Sequence, residues 1–258
     1  MRVLIFGLPG SGKTFLAERL VEILGDKVEW FNADKVRADA DDWDFTDEGR
    51  LRQNRRMQSL CEGAEAQGKI AIADFVAPFD IARQDFGADY NVFVDTIDAG
   101  RFEDTNKVFQ RPDGADYVVL QHRGDIDAKL IAYEIGERFI WNNQAATTQM
   151  LGRFQPWHAG HQALFDRALA KHNQVYLMVR DMPTDDSNPF PAQQVAENLK
   201  QSLCEFAGRV KIQIVPNILN ITYGRDVGYK IEQEVFDDAT HAISATKVRE
   251  QMRKDGQL

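Results

Sequence analysis

Two periods of apolar and polar positions alternate along the chain. Short continuous apolar runs cover residues 2–6, 28–31, 69–73, 90–94 and 116–120. Such runs are typical of strands buried on both faces of a parallel sheet. Between and after them, apolar residues recur at helical spacing over 15–24, 47–67 and 126–141. A second series follows. Runs at 148–151, 174–179 and 210–215 alternate with helix-patterned stretches at 162–171 and 192–207. A short strand at 220–223 and a helix over 246–253 complete the expected elements. Strand–helix alternation predicts an α/β fold with ligands at the strands' C-terminal ends. The expected division is a first domain over 1–125, a linking helix and polar stretch over 126–147, and a smaller domain over 148–258.

Chemistry enters where strands end. The first run leads into Gly7-Leu8-Pro9-Gly10-Ser11-Gly12-Lys13-Thr14, a full match to the P-loop pattern in its strand–loop–helix setting. Gly7, Gly10, Ser11 and Gly12 would curl the backbone around phosphates. Lys13 would reach the β- and γ-phosphates, and the Thr14 hydroxyl would ligate Mg²⁺. The third run ends in Asp74, as a Walker B carboxylate is presented, so Thr14 and Asp74 are metal candidates.

The first half resembles adenylylsulfate kinase over about 120 residues. Beyond the P-loop, the matching stretches are Asn32-Ala33-Asp34-Lys35-Val36-Arg37, Phe45-Thr46 through Arg50 to Arg55-Arg56, Asp74-Phe75-Val76-Ala77-Pro78-Phe79, and Phe93 to Thr96. The resemblance implies ATP-dependent phosphoryl transfer. Asp34 would be the base or Mg²⁺-organising carboxylate. Arg37, Arg50 and Arg55 would grip the acceptor's anionic group, and Phe45 would stack on a ring. Arg52 and Arg56 fit an intrahelically paired, solvated face equally well. The family's basic lid and its F-T-G-I segment have no clear counterpart; Arg101 to Lys107 stands in their place.

The decapeptide Gly152-Arg153-Phe154-Gln155-Pro156-Trp157-His158-Ala159-Gly160-His161 sits between a short apolar run and a helix pattern. A helix N-terminus with two histidines three apart suits phosphate handling. This stretch resembles the HxGH signature of nucleotidyltransferases, closest to nicotinamide mononucleotide adenylyltransferases. Ile243-Ser244-Ala245-Thr246-Lys247-Val248-Arg249 resembles that superfamily's second signature. The resemblance implies that His158 and His161 contact the reacting phosphates. Gly152, Arg153, Phe154, Ser244, Thr246, Lys247 and Arg249 would complete the nucleotide site, for ATP or CTP. The whole chain then reads as a P-loop kinase with a doubly wound parallel sheet, followed by a smaller Rossmann-like HxGH nucleotidyltransferase domain.

Composition narrows the alternatives. The net charge is −9, with nearly all of the acidic excess before residue 126. Nucleic-acid binders are basic over their footprint, so small anionic substrates are the expected partners instead. Cys61 and Cys204 fall in different halves, which fits a reducing cytoplasm without a disulfide framework. Neither a signal peptide nor a membrane span is expected, and a homo-oligomer is compatible with the chain. His122, His172 and His241 read as structural or surface histidines, and no third ligand accompanies His158 and His161 to make a zinc site. Sulfate activation, and a nucleotide-sensing regulator with one inactive site, are the alternatives to a bifunctional kinase–nucleotidyltransferase.

Overall fold

The computed structural model describes residues 1–222, 224–225, 228, 230–236 and 243–258. The chain divides into two compact units, 1–135 and 136–258. The division falls inside a helix, α6 (Ile126–Phe139).

In the first unit five strands lie in the order β2-β3-β1-β4-β5. They are β1 (Arg2–Phe6), β2 (Val28–Asn32), β3 (Ile70–Phe75), β4 (Tyr90–Val94) and β5 (Tyr117–Val119), and every pairing is parallel. All five residues of central β1 are buried, as a strand covered on both faces must be. The helices are α1 (Lys13–Leu24), α2 (Ala33–Asp39), α3 (Asp47–Ala66), α4 (Asp80–Phe86) and α5 (Glu103–Val108). Met57, Cys61 and Ala64 of α3 pack with Leu4, Phe6, Ala71 and Ala73 of the sheet. The Thr46 side chain caps α3 by accepting from Gly49 N, and Asp47 and Glu48 occupy its positive first turn.

Three short helices were not expected from the sequence. α2, α4 and α5 have seven, seven and six residues, too few turns for a 3.6-residue period to show. Strand β3 also runs past residue 73. Asp74 pairs in register with Ile5 and Asn32, and Phe75 enters the core.

The second unit holds β6 (Thr148–Gly152), α7 (Ala159–His172), β7 (Val175–Arg180), α8 (Ala192–Ser202) and β8 (Val210–Val215), then α9 (Ala245–Lys254). Its sheet has the order β6-β7-β8, all parallel, and with α7 and α8 between the strands it is a βαβαβ arrangement. Val195, Ala196 and Leu199 of α8 and Phe165 of α7 are buried. Helix α8 is shorter than its apolar pattern, because a 3-10 turn over Cys204–Phe206 takes up the rest. Residues 220–222 form no strand. Tyr223 and His241 lie outside the described residues. Among the described residues, no helix is long and apolar enough to cross a membrane.

Candidate active sites

The P-loop of the first unit connects β1 to α1, and its shape depends on glycine. A Cβ on Gly7 would lie 2.4 Å from Val94 O. Gly12 caps α1 at φ 95°, a left-handed conformation that side-chain-bearing residues avoid. Lys13 begins the helix and is nearly buried, its Nζ donating to Leu8 O at 2.9 Å. Burial pushes its ammonium down to about 8, although Asp74 and Asp34 oppose that fall. Thr14 Oγ1 donates to Asp74 Oδ2 at 2.8 Å. Trp30 Nε1 at 2.7 Å and Asn32 Nδ2 at 3.0 Å donate to the same carboxylate. Burial raises the Asp74 pKa, while these three hydrogen bonds hold it down.

A cavity of about 680 Å³ opens beside the P-loop and runs to the segments around Trp43, Phe45 and Phe102. Lys13, Thr14, Asp34, Arg37, Phe45, Arg50 and Asp74 all line it, so the structure brings these expected residues together. Arg55 is exposed on α3 and does not line the cavity; Gln53 and Asn54 of the same helix do. Arg52 and Arg56 make their ion pairs outside their helix, although Arg56 also donates to Gln53 Oε1 one turn back on α3. Both bind Asp42, each at 2.8 Å, and Arg52 also binds Asp44 at 3.0 Å. These pairs hold the loop before α3. Trp43 also lines the cavity and was missed by motif reading, and Arg101, Phe102, Asp104 and Thr105 line it from the stretch that stands in place of the family's lid. The acidic–aromatic stretch Asp41 to Phe45 was the available signal for Trp43.

The donor set suits Mg²⁺. Thr14 and Asp74 offer hard oxygens side by side at the P-loop. Among the described residues no group of three His, Cys, Asp or Glu could hold an ion alone. Magnesium at a triphosphate takes only one or two protein oxygens, and phosphate and water supply the rest.

In the second unit the two signature stretches meet. His158 is the N-cap of α7, and its Nδ1 accepts from Gly160 N at 3.1 Å and His161 N at 3.4 Å. The cap starts the helix three residues before its apolar pattern begins. The imidazoles of His158 and His161 stack with centroids 3.8 Å apart, and Trp157 stacks on His161 at 5.3 Å. Burial, then the neighbouring His158, pushes His161 down to about 4; burial lowers His158 as well. A Cβ on Gly160 would lie 3.8 Å from Ile243 O, at the start of the second signature.

Ser244 caps α9 by accepting from Lys247 N at 3.4 Å, so this helix also presents an N-terminus. Thr246 and Lys247 are exposed, while Arg249 is buried. The Arg249 guanidinium donates to Gln155 O at 2.7 Å and to Thr246 Oγ1 at 3.3 Å. It therefore ties one signature to the other. Gly152 lies under the Phe154 ring, 2.8 Å from where its Cβ would be. Arg153 is exposed and reaches Asn188 Oδ1 at 3.4 Å.

The acidic stretch 181–191 reads from sequence as a mobile loop. It is fastened instead. Asn188 is buried and capped onto Asp185 Oδ1, and Gln155 pairs with Phe190 through both ends of its amide, at 2.7 and 3.1 Å. Gln155→Ala should therefore strand two part-buried backbone groups of Phe190 and cost about 1 kcal/mol. A denaturant melt of the second unit checks this. An unmoved midpoint would mean that Phe190 finds other partners.

These sites define a P-loop kinase arrangement in the first unit, and similarity to known proteins agrees. The adenylylsulphate kinase family matches residues 1–102. A probable adenylyl-sulfate kinase of Aeropyrum pernix is 39% identical over 85 residues, which is 31% of this chain and 46% of that protein. The bifunctional enzyme NodQ of Azospirillum brasilense is 35% identical over 100 residues, 35% of this chain and 16% of NodQ. The chain thus spans less than half the length of the curated relatives it matches. Mycobacterium tuberculosis APS kinase CysC, solved with AMPPNP and APS, has a TM-score of 0.44 at 22% identity, covering 50% of this chain and 94% of that one. The N-terminal domain is adenylylsulfate kinase-like.

Proposed function

We propose that the chain is a bifunctional transferase. The first unit moves the γ-phosphoryl group of ATP to an alcohol, and the second moves a nucleotidyl group, AMP or CMP, onto the phosphomonoester so made. The observation that carries the second half is the meeting of two motifs more than 80 residues apart in sequence, at two helix N-termini of one βαβαβ unit.

In the first unit the acceptor oxygen bonds to the γ-phosphorus, the bridging oxygen–γ-phosphorus bond breaks, and ADP leaves. The hydroxyl proton passes to Asp34. Lys13 holds the β- and γ-phosphates, and Thr14 and Asp74 would hold a magnesium ion, which would neutralise charge on the phosphate oxygens. In the second unit the acceptor's phosphate oxygen attacks the α-phosphorus of the triphosphate and pyrophosphate leaves. Such chemistry needs positioned donors rather than a covalent intermediate. His158 and His161 present neutral N–H donors to the phosphates. The N-terminus of α9, with Ser244, Thr246 and Lys247, receives the pyrophosphate oxygens. Ribosylnicotinamide phosphorylation followed by adenylylation is one such pair.

Sulfate activation is the second reading, favoured by the adenylylsulphate kinase match over residues 1–102. Pyrophosphate release by Lys13→Ala separates the two, since only the second unit can then act. The variant is offered ATP or CTP with nicotinamide mononucleotide, glycerol 3-phosphate, phosphocholine or sulfate. Release with a phosphomonoester supports the relay, and the productive triphosphate identifies the nucleotide. Release with sulfate alone supports sulfate activation. No release with any pair removes the nucleotidyltransferase assignment for these acceptors.

A further inference from the structure

The acceptor side of the first cavity is built differently from an anion clamp. Arg37 spends one guanidinium nitrogen on two carbonyls, Asp42 O at 2.9 Å and Asp44 O at 3.0 Å. Its flat face lies over Phe45, 4.7 Å from the ring centroid. Arg50 donates to Phe45 O at 2.8 Å, to Asp104 at 2.8 Å and to Thr105 at 3.1 Å. Arg50 is thus committed to holding the cavity wall, and Arg37 braces the loop through one of its nitrogens.

Charge points the same way. The lining carries four cations, Lys13, Arg37, Arg50 and Arg101, against the carboxylates of Asp34, Asp74 and Asp104. That leaves a single positive charge, and a magnesium-bound triphosphate brings about two negative ones. A loaded cavity therefore offers an anionic acceptor no net positive charge. Its rim is aromatic instead. Trp43 and Phe45 stand half exposed with centroids 6.5 Å apart, and Phe102 is 49% exposed. The loop bearing the first two is fixed from behind, because Arg52 and Arg56 hold Asp42 and Arg37 holds the backbone at 42 and 44. A ring landing on this shelf meets side chains already in place, so little ordering entropy is lost.

Resting on the kinase-and-nucleotidyltransferase reading above, we infer that the alcohol phosphorylated in the first unit is a nucleoside without negative charge. Its base lies on the shelf formed by Trp43 and Phe45, and its ribose hydroxyl faces Asp34. The product is then a nucleoside monophosphate, an acceptor of the class the second unit would use.

The test is ADP formation by the full chain with MgATP and each of ribosylnicotinamide, adenosine, uridine, ribose, AMP and adenylylsulfate. One nucleoside should exceed ribose, AMP and adenylylsulfate in kcat/KM by about tenfold or more. Trp43→Ala should raise the KM for that nucleoside about tenfold, as the loss of one base–aromatic stack does. The KM for ATP should not move, and Trp43→Phe should restore most of the nucleoside affinity. Preference for adenylylsulfate or AMP overturns the inference and leaves the kinase reading standing. Equal use of ribose, or an unmoved KM in Trp43→Ala, overturns the shelf. No ADP with any acceptor overturns both readings.

Discussion

Lys13→Met should abolish phosphoryl transfer, by on the order of 10³-fold, and make the first unit more stable. The two effects share one cause. The ammonium is held in a nearly buried position, its pKa pushed down to about 8 from the ordinary lysine value of 10.5. A base whose folded pKa lies below its unfolded one binds fewer protons in the folded state between the two values. Stability therefore rises with pH across the window from about 8 to 10.5, and the full penalty applies below 8. At neutral pH that penalty is about 3 kcal/mol, set against the single hydrogen bond to Leu8 O, worth about 1 kcal/mol. Methionine keeps the apolar stem without the charge, so a net gain of about 1–2 kcal/mol follows. Urea melts at about pH 7 and pH 10.5 check it, and the gain should shrink at the higher pH. In the wild type, kcat/KM for ATP should fall above about pH 8 as free Lys13 loses its proton. A destabilised Lys13→Met protein would mean that the ammonium is solvated or paired in the folded state.

Much of this architecture was legible because its signals are local. Continuous apolar runs marked the strands, and the P-loop marked Lys13 and Thr14 together with the helix that starts on them. What escaped the reading depends on contacts between distant segments. Arg52 and Arg56 sit on an ordinary polar helix face, and nothing in their spacing indicates that Asp42 and Asp44 fold back to meet them. Arg55, one position away, faces solvent. At about 100° per residue, a helix turns a motif's neighbours away from the cavity, and only the fold shows which ones. Trp43 and Asp104 belong to no motif, only to an acidic–aromatic stretch and to the segment in place of a lid, and the placement of those segments brings them into the site. Arg249 illustrates the converse. It lies in a recognised motif, yet its hydrogen bonds run to Gln155 and Thr246, so its first duty is to join the two motifs.

His158→Asn should separate helix capping from chemistry in the second unit. In the wild type the Nδ1 lone pair of His158 accepts two backbone N–H groups, at 3.1 and 3.4 Å. That contact places the imidazole proton on Nε2, where it can be donated to a phosphate oxygen. Asparagine is among the best N-cap residues, so it should keep the helix start while removing the ring donor. Pyrophosphate release should fall about 10²–10³-fold with little change in the unfolding midpoint of the second unit. His158→Ala should lose the same activity and about 1 kcal/mol of stability besides.

The stacked partner gives the pH dependence its sign. His161 is pushed down to about 4 by burial and by His158, 3.8 Å away between centroids. Between about pH 6.5 and 4 the unfolded chain takes up a proton that the folded one refuses, so stability falls as the solution is acidified. His161→Phe keeps a ring against Trp157 and Phe154 and should flatten that part of the slope. It should also abolish nucleotidyl transfer. Activity surviving in both His158→Asn and His161→Phe would leave the pair as a structural cap and remove the phosphate-donor role from both.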